Sequence, residues 1–135
     1  ETANGLRKEI NVYGNNFKTD DGTGVRDYVH VSDLAKAHIS SLEYIINNKK
    51  NLTINLGTGA GHSVLDVINK TREISKSTIN YCFKKERLGD PDKIIASGQL
   101  AKRLIGWEAE YSDLETIISS TWDIYKFNKQ SNGLL

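Results

Sequence analysis

The sequence predicts one globular domain of α/β or α+β class. Three observations predict this class: short stretches in which apolar and polar residues alternate, longer stretches with apolar residues three and four positions apart, and glycine-rich turns between them. The chain has 135 residues, of which 38% are apolar and 26% are charged. A chain of this size buries about two thirds of its unfolded surface, so it can form a core without disulfides.

The first third of the chain predicts two extended segments followed by a helix. Residues 10–13 form an apolar run typical of a strand, and residues 25–31 alternate as a second extended segment after a polar turn. Ser32 and Asp33 are candidate N-caps. Apolar residues then follow at helical spacing, namely Ala35, Ile39, Leu42 and Ile46. This pattern predicts a helix over about residues 33–47.

The middle of the chain predicts a strand, a tight turn and a second helix. Residues 51–56 alternate as a strand and run directly into the glycine-rich segment 57–61. Ser63 and Asp66 form a capping-box pattern, so a helix is expected from there to about residue 75.

The last third of the chain predicts a strand, a loop and two helices. Residues 79–83 alternate as a strand, and the charged segment 84–93 is typical of a loop. Ser97 is expected to cap a short helix that stops at Gly106. Ser112 and Glu115 form a second capping-box pattern ahead of a longer helix, with a frayed tail from Asn128.

Composition and charge exclude several classes of function. The 18 Lys and Arg residues balance 17 Asp and Glu residues, for a net charge of +1, so nucleic-acid binding is not expected. No apolar stretch approaches the roughly 18 residues that span a bilayer, and the N-terminus does not resemble a signal peptide. The protein is therefore expected in the cytoplasm. The chain begins at Glu1 and contains no Met, which predicts a piece of a longer protein.

The glycine-rich segment 57–61 has two interpretations. A strand, glycines and a capped helix can present N–H groups to a pyrophosphate. However, the spacing is not G-x-G-x-x-G, and no acidic residue ends a following strand about 20 residues later. A tight turn is the preferred interpretation, so no cofactor-binding residue is assigned.

Other polar residues suggest anion recognition rather than metal binding. The planar guanidinium groups of Arg26 and Arg87 suit bidentate contact with phosphate, and Asp90 can accept hydrogen bonds from sugar hydroxyls. Surface ion pairing is the alternative. The histidines lack the spacing of metal ligands, so no metal site is predicted. Cys82 is interpreted as a small apolar filler.

Several motifs give the chain a family resemblance. They are V-Y-G-N-N-F (12–17), D-G-T-G-V-R-D-Y-V-H-V-S-D (21–33), N-L-G-T-G-A-G-H-S-V (55–64), R-L-G-D-P (87–91) and G-W (106–107). In this order they resemble the C-terminal half of the UDP-glucose 4-epimerases, which are extended short-chain dehydrogenases/reductases. The resemblance covers nearly the whole chain.

The resemblance implies an α/β fold, the C-terminal substrate-binding part of a Rossmann-type enzyme with short strands and several helices. Residues 1–135 would form a single substrate-binding domain fragment, and the N-terminal NAD-binding Rossmann domain would be absent. Because the helix after Val31 packs partly against that domain in the family, Ala35, Ile39 and Leu42 are expected to be exposed.

The resemblance also implies roles for individual residues. The strand Asn11, Val12 and Tyr13 would offer its backbone and the Tyr13 ring to uracil. Arg26 and Arg87 would clamp the diphosphate, and Asp90 would bind the ribose hydroxyls. Ile94 stands where some family members have a Tyr that crowds the sugar, so its smaller side chain predicts room for an N-acetyl group.

The implied activity is NAD-dependent interconversion of UDP-glucose and UDP-galactose through a transient 4-keto sugar. The Tyr and Lys of that reaction and the NAD loop belong to the N-terminal half, so no catalytic residue is assigned here and the chain alone is expected to be inactive. A homodimer is implied for the whole protein. The alternatives are a UDP-sugar decarboxylase or 4,6-dehydratase, a non-catalytic nucleotide-sugar binding module, or an inactive gene fragment.

Overall fold

A computed structural model describes residues 1–131. It confirms the predicted mixture of short strands and helices. In chain order the elements are β1 (Ile10–Tyr13), β2 (Val25–Arg26), α1 (Val31–Asn48), β3 (His62–Ser63), α2 (Val64–Ser75), β4 (Tyr81–Lys84), β5 (Lys93–Ile94), α3 (Gln99–Ile105) and α4 (Leu114–Ser131).

The strands form two small sheets. In the first, β1 and β4 pair in parallel, with Tyr13 opposite Lys84. In the second, the order is β3-β2-β5, with β3 antiparallel and β5 parallel to β2. Because parallel strands require long crossovers, these pairings bring residues 84–94 back beside residues 10–26.

Two apolar clusters hold the elements together. Val12 of β1 packs with Ile68 of α2 and with Ile79 in the first cluster. Ala37 of α1, Ala101 of α3 and Trp107 form the second cluster. Both alanines are fully buried, and these small side chains let α1 and α3 approach closely.

The prediction of a strand over residues 51–56 is wrong. This segment has no regular secondary structure and pairs with no strand among residues 1–131. Its alternating residues are half-buried, and Ile54 and Leu56 pack against the second cluster. The alternation of apolar and polar residues therefore reflects one side of the segment packing against the protein, whereas a strand also needs a hydrogen-bonding neighbour.

Three predicted caps are wrong and one is confirmed. The predicted extended segment 25–31 forms a strand only at Val25–Arg26. Helix α1 begins at Val31, and His30 caps it in place of Ser32 or Asp33, because His30 Nδ1 accepts from Ser32 N at 3.0 Å. Gly98, not Ser97, precedes α3. Asp113 rather than Ser112 caps α4, accepting from Thr116 N at 2.8 Å.

The confirmed cap lies at the start of α2. Ser63 Oγ accepts from Asp66 N at 2.9 Å, and the Asp66 carboxylate accepts from Ser63 N at 2.9 Å. This is the reciprocal capping box that the sequence predicts. The Ser63 hydroxyl also donates to the Asp21 carboxylate, which ties the polar turn before β2 to α2.

One face of α1 is apolar and exposed. Val31, Ile39, Leu42 and Ile46 are all at least half exposed, and Ala35 on the same face is also exposed. The prediction that Ala35, Ile39 and Leu42 are exposed is confirmed. No helix among residues 1–131 has the length and apolar character needed to cross a membrane.

Candidate functional site

The parallel pairing of β1 and β4 places Arg87 over Tyr13. Lys84, at the end of β4, lies opposite Tyr13, and the chain then turns back over β1. The Arg87 guanidinium carbon lies 4.2 Å from the centroid of the Tyr13 ring, which is within the range of a cation–π contact. Tyr13 remains 38% exposed, so an aromatic residue and a cation share one surface.

The open edge of β1 presents backbone groups from Asn11 and Tyr13. Ile10 N donates to Asn80 O, and Gly14 N donates to Lys84 O, so the even-numbered residues face β4. Because the backbone N–H and C=O groups of successive strand residues point to alternate edges, those of Asn11 and Tyr13 point to the other edge of β1. That edge has no strand neighbour among residues 1–131. Val12 is fully buried and does not reach this surface.

The second sheet places Arg26 against the same loop. Arg26 Nη1 donates to Val25 O at 2.8 Å and to Pro91 O at 3.1 Å, and its Nη2 lies 3.9 Å from Asp90 Oδ1. A methyl group at Gly24 would lie 3.1 Å from Nη1, so glycine leaves room for the guanidinium. The Arg26–Asp90 contact is long and partly exposed, and such a pair contributes little stability.

One turn joins the two halves of this surface. Asp90 N donates to Arg87 O at 3.1 Å, so the residue over Tyr13 and the residue beside Arg26 belong to the same tight turn. Ile94 follows on β5 as the register partner of Arg26 and is 50% exposed. The structure therefore gathers Tyr13, Arg26, Arg87, Asp90 and Ile94 around residues 85–94.

N–H groups of the glycine-rich segment 57–61 donate to a carboxylate of the protein itself. Both oxygens of the Asp27 carboxylate accept from Thr58 N, and Asp27 Oδ2 also accepts from Gly59 N at 3.1 Å. Because these N–H groups are already paired with a carboxylate, they are not open to a pyrophosphate. This geometry favours the interpretation as a tight turn.

Asp27 is a residue whose role sequence reasoning missed. The sequence assigns it no role, whereas in the structure it joins β2 to the 57–61 turn and to Ala96. Its position between Arg26 and Tyr28 at the end of a strand is the only signal in the sequence.

Burial raises the pKa of the neighbouring Tyr28, although the positive charge of Arg26 lowers it. Tyr28 therefore stays protonated at neutral pH.

His30, His38 and Cys82 each contact another residue of the chain. His30 caps α1, its Nε2 lies 3.0 Å from Ser120 Oγ, and His38 Nδ1 lies 2.7 Å from Leu34 O. Among residues 1–131, no three His, Cys, Asp or Glu side chains cluster as metal ligands would. Cys82 is half-buried and its thiol lies 3.1 Å from Asn11 Oδ1 and 3.2 Å from Glu9 Oε1. With two polar contacts, it is not the small apolar filler that the sequence predicts.

Comparison with known proteins identifies the family. The model of the GDP-mannose 4,6 dehydratase family matches residues 1–121. The chain belongs to this family. Its members are extended short-chain dehydrogenases/reductases, so the family resemblance that the motifs carry is confirmed.

Relatives of this chain are described as UDP-glucose 4-epimerases. The one from Lacticaseibacillus casei is 37% identical over 133 residues, which are 98% of this chain and 40% of that protein. The crystal structure from Stenotrophomonas maltophila, with bound NAD and formylated UDP-arabinopyranose, is 37% identical with a TM-score of 0.89 over 96% of this chain and 38% of that one.

A second solved relative contains the nucleotide itself. The Bifidobacterium longum UDP-glucose 4-epimerase, in complex with NAD+ and UDP, is 38% identical with a TM-score of 0.84, over 98% of this chain and 38% of that one. The chain therefore spans about two fifths of the length of the relatives that it matches. The α/β class and its placement in a Rossmann-type enzyme family are confirmed.

Proposed function

We propose that this chain supplies the nucleotide-sugar-binding part of a UDP-glucose 4-epimerase, which interconverts UDP-glucose and UDP-galactose. The observation that carries the proposal is the convergence of Tyr13, Arg26, Arg87 and Asp90 on one turn, although they come from two sheets. An aromatic ring, two guanidinium groups and a carboxylate on one surface match the base, the diphosphate and the ribose of a nucleotide sugar.

Each group has a distinct part in the proposal. The open edge of β1 offers N–H and C=O groups at Asn11 and Tyr13 to the uracil edge, and Val12 supports the strand from the core. Arg26 and Arg87 bind the diphosphate, because guanidinium groups suit bidentate contact with phosphate oxygens. Asp90 accepts hydrogen bonds from the ribose hydroxyls once its weak contact with Arg26 gives way.

The described residues do not fit NAD. The segment that most resembles a phosphate loop, residues 57–61, already binds the Asp27 carboxylate. We therefore assign NAD to a Rossmann domain that precedes this part of the whole protein, and we assign residues 1–135 to a substrate-binding domain. The exposed apolar face of α1 is the surface on which that domain would pack.

Replacing Arg26 with Ala is expected to weaken UDP binding by the isolated chain. Loss of a charge-assisted contact to phosphate costs about 1.5–3 kcal/mol, which is a roughly tenfold to hundredfold higher Kd. Calorimetric titration with UDP measures the effect.

The matched control for this experiment is Arg103→Ala, which removes an exposed arginine of α3 and is expected to leave UDP affinity unchanged. Circular dichroism checks that each variant is folded. A folded wild-type chain that does not bind UDP, or an Arg26→Ala variant that binds as tightly as wild type, would contradict the proposal.

Ile94 predicts tolerance of an N-acetylated sugar. It is half exposed beside Arg26 on β5 and has no hydroxyl or ring to occupy the sugar site. We expect Ile94→Tyr to raise the Kd for UDP-N-acetylglucosamine about tenfold, the cost of a steric clash of about 1.4 kcal/mol, with little change for UDP-glucose. Calorimetry with both sugars, and Ile94→Val as control, tests this. Equal effects on the two sugars would reject it.

A further inference from the structure

We infer that Asp27 is a positioning residue that holds the phosphate-binding Arg26 in place without touching the ligand. This inference rests on the proposed function, because it concerns how the diphosphate site is built. Its basis is the set of hydrogen bonds that the Asp27 carboxylate accepts from two separate segments of the chain.

The first segment is the glycine-rich turn. Asp27 Oδ1 accepts from Thr58 Oγ1 at 2.7 Å and from Thr58 N at 3.1 Å, and Oδ2 accepts from Gly59 N at 3.1 Å. Several donors on one carboxylate hold it in a single orientation. The end of β2 is thereby anchored to a turn that lies outside the ligand surface.

The second segment is the chain that leaves β5. Val25 N donates to Asp92 O at 2.9 Å and Asp27 N donates to Ile94 O at 3.1 Å. One step further along, Ala96 N donates to Asp27 Oδ2 at 3.2 Å. The side chain thus extends a ladder that the two-residue strands β2 and β5 could not sustain alone, because such short pairings are marginal.

This ladder determines where the Arg26 guanidinium lies. Arg26 Nη1 donates to Pro91 O, and Nη2 faces Asp90, and both partners lie on the chain that leads into β5. If the pairing of β2 and β5 loosens, the guanidinium keeps its hydrogen bond to Val25 O within β2 but loses its partners at Pro91 and Asp90. Since adjacent strand residues point to opposite faces, Asp27 acts from the face opposite to the ligand.

The test compares UDP with uridine, because only UDP uses the diphosphate site. In Asp27→Asn, an amide N–H₂ group takes the place of one carboxylate oxygen. A donor then faces the N–H groups that donated to that oxygen. By NMR titration of the 135-residue chain, the UDP Kd is expected to rise about tenfold, equivalent to one displaced charge-assisted hydrogen bond, while the uridine Kd changes less than about twofold. Partial unfolding would weaken both ligands equally, so the ratio separates positioning from stability.

Two further variants complete the design. Asp113→Asn removes the cap carboxylate of α4 and is expected to leave the UDP-to-uridine ratio unchanged. If Asp27→Asn does not fold, Thr58→Val removes a single donor to Asp27 Oδ1 and is expected to raise only the UDP Kd, about threefold.

The outcomes distinguish this inference from the proposal beneath it. A folded wild-type chain that does not bind UDP overturns the proposed function and this inference with it. The role of Asp27 alone is overturned if the wild-type chain binds UDP normally and the folded Asp27→Asn variant has the same UDP-to-uridine ratio. If Asp27→Asn is unfolded, an unchanged ratio in Thr58→Val overturns it in the same way.

Discussion

Replacing Asp33 with Ala is expected to destabilise the fold by about 3–5 kcal/mol, because removing this buried carboxylate leaves the groups that donate to it without a partner. Asp33 is fully buried. Its Oδ2 accepts from Ser112 Oγ at 2.6 Å, from Tyr111 N at 2.9 Å and from Glu110 N at 3.1 Å. These bonds fasten the first turn of α1 to the chain that leads into α4. Urea unfolding measures the loss.

The Asn variant separates the shape of Asp33 from its charge. All three bonds go to Oδ2, whereas Oδ1 has no hydrogen-bond partner among residues 1–131. An amide oxygen can therefore take the place of Oδ2, with the amide nitrogen at the other position. Asp33→Asn is expected to cost about 2–3 kcal/mol, less than Asp33→Ala, because it keeps the acceptor but loses the charge assistance and leaves the amide N–H₂ group buried without an acceptor. The matched control Asp20→Asn, at an exposed carboxylate, is expected to be near neutral.

Asp33 also makes stability depend on pH. Burial by itself raises the pKa of Asp33, but hydrogen bonds from Ser112, Tyr111 and Glu110 outweigh it and hold the pKa below its usual value. A lowered pKa in the folded state adds stability above the unfolded pKa of about 3.9, and this stability is lost as pH falls through the folded value. The difference between wild type and Asp33→Asn should shrink between pH 7 and pH 3. A constant difference, or an Ala variant as stable as wild type, would contradict this account.

Local signals in the sequence predict the elements well where the partners are also local. Ser63 and Asp66 lie three residues apart, so their capping box is visible in the sequence and is present in the structure. Gly106 likewise ends α3 in a left-handed conformation, as the sequence predicts. Such features need only a few neighbouring residues to form, so the sequence can show them directly.

Predictions fail where a distant partner competes for the same group. The sequence predicts that Ser112 is a cap, but its hydroxyl donates to Asp33, 79 positions away. The sequence also offers Asp33 as an N-cap, but its carboxylate accepts from Ser112 instead, and His30 caps α1. Residues 51–56 alternate as a strand and yet find no pairing partner among the described residues. Local patterns carry no information about such partners.

The candidate site shows the same division. Spacing alone left Arg26, Arg87 and Asp90 open between phosphate recognition and surface ion pairing, and the family resemblance assigned their roles. The structure adds that they converge on one turn with Tyr13. It also adds the supports, because each Asp of the motif at 21–33 anchors a different segment: Asp21 holds Ser63, Asp27 holds the glycine-rich turn and Asp33 holds Ser112.

Replacing Gly57 with Ala is expected to destabilise the fold by about 2–4 kcal/mol, because the added methyl overpacks a filled site. That methyl would lie 2.5 Å from Ala96 Cβ, 2.7 Å from Asp27 Oδ2 and 2.8 Å from Ala96 O. One of these atoms is backbone and another belongs to a carboxylate held by several hydrogen bonds, so neither can move away freely. The clash should push β5 away from β2.

Gly59 in the same turn is the matched control, since its glycine is needed for a different reason. Its φ is +76° and nothing lies within 4 Å of an added methyl, so Gly59→Ala costs only the left-handed conformation, about 1–2 kcal/mol. Thermal or urea unfolding of the two variants therefore separates crowding from backbone strain. Because the Gly57 clash falls on Asp27 and Ala96, it should also weaken UDP binding, whereas Gly59→Ala should not. A Gly57 variant no less stable than the Gly59 variant would show that the turn and β5 are loosely packed, and that the Asp27 contacts do not constrain Arg26.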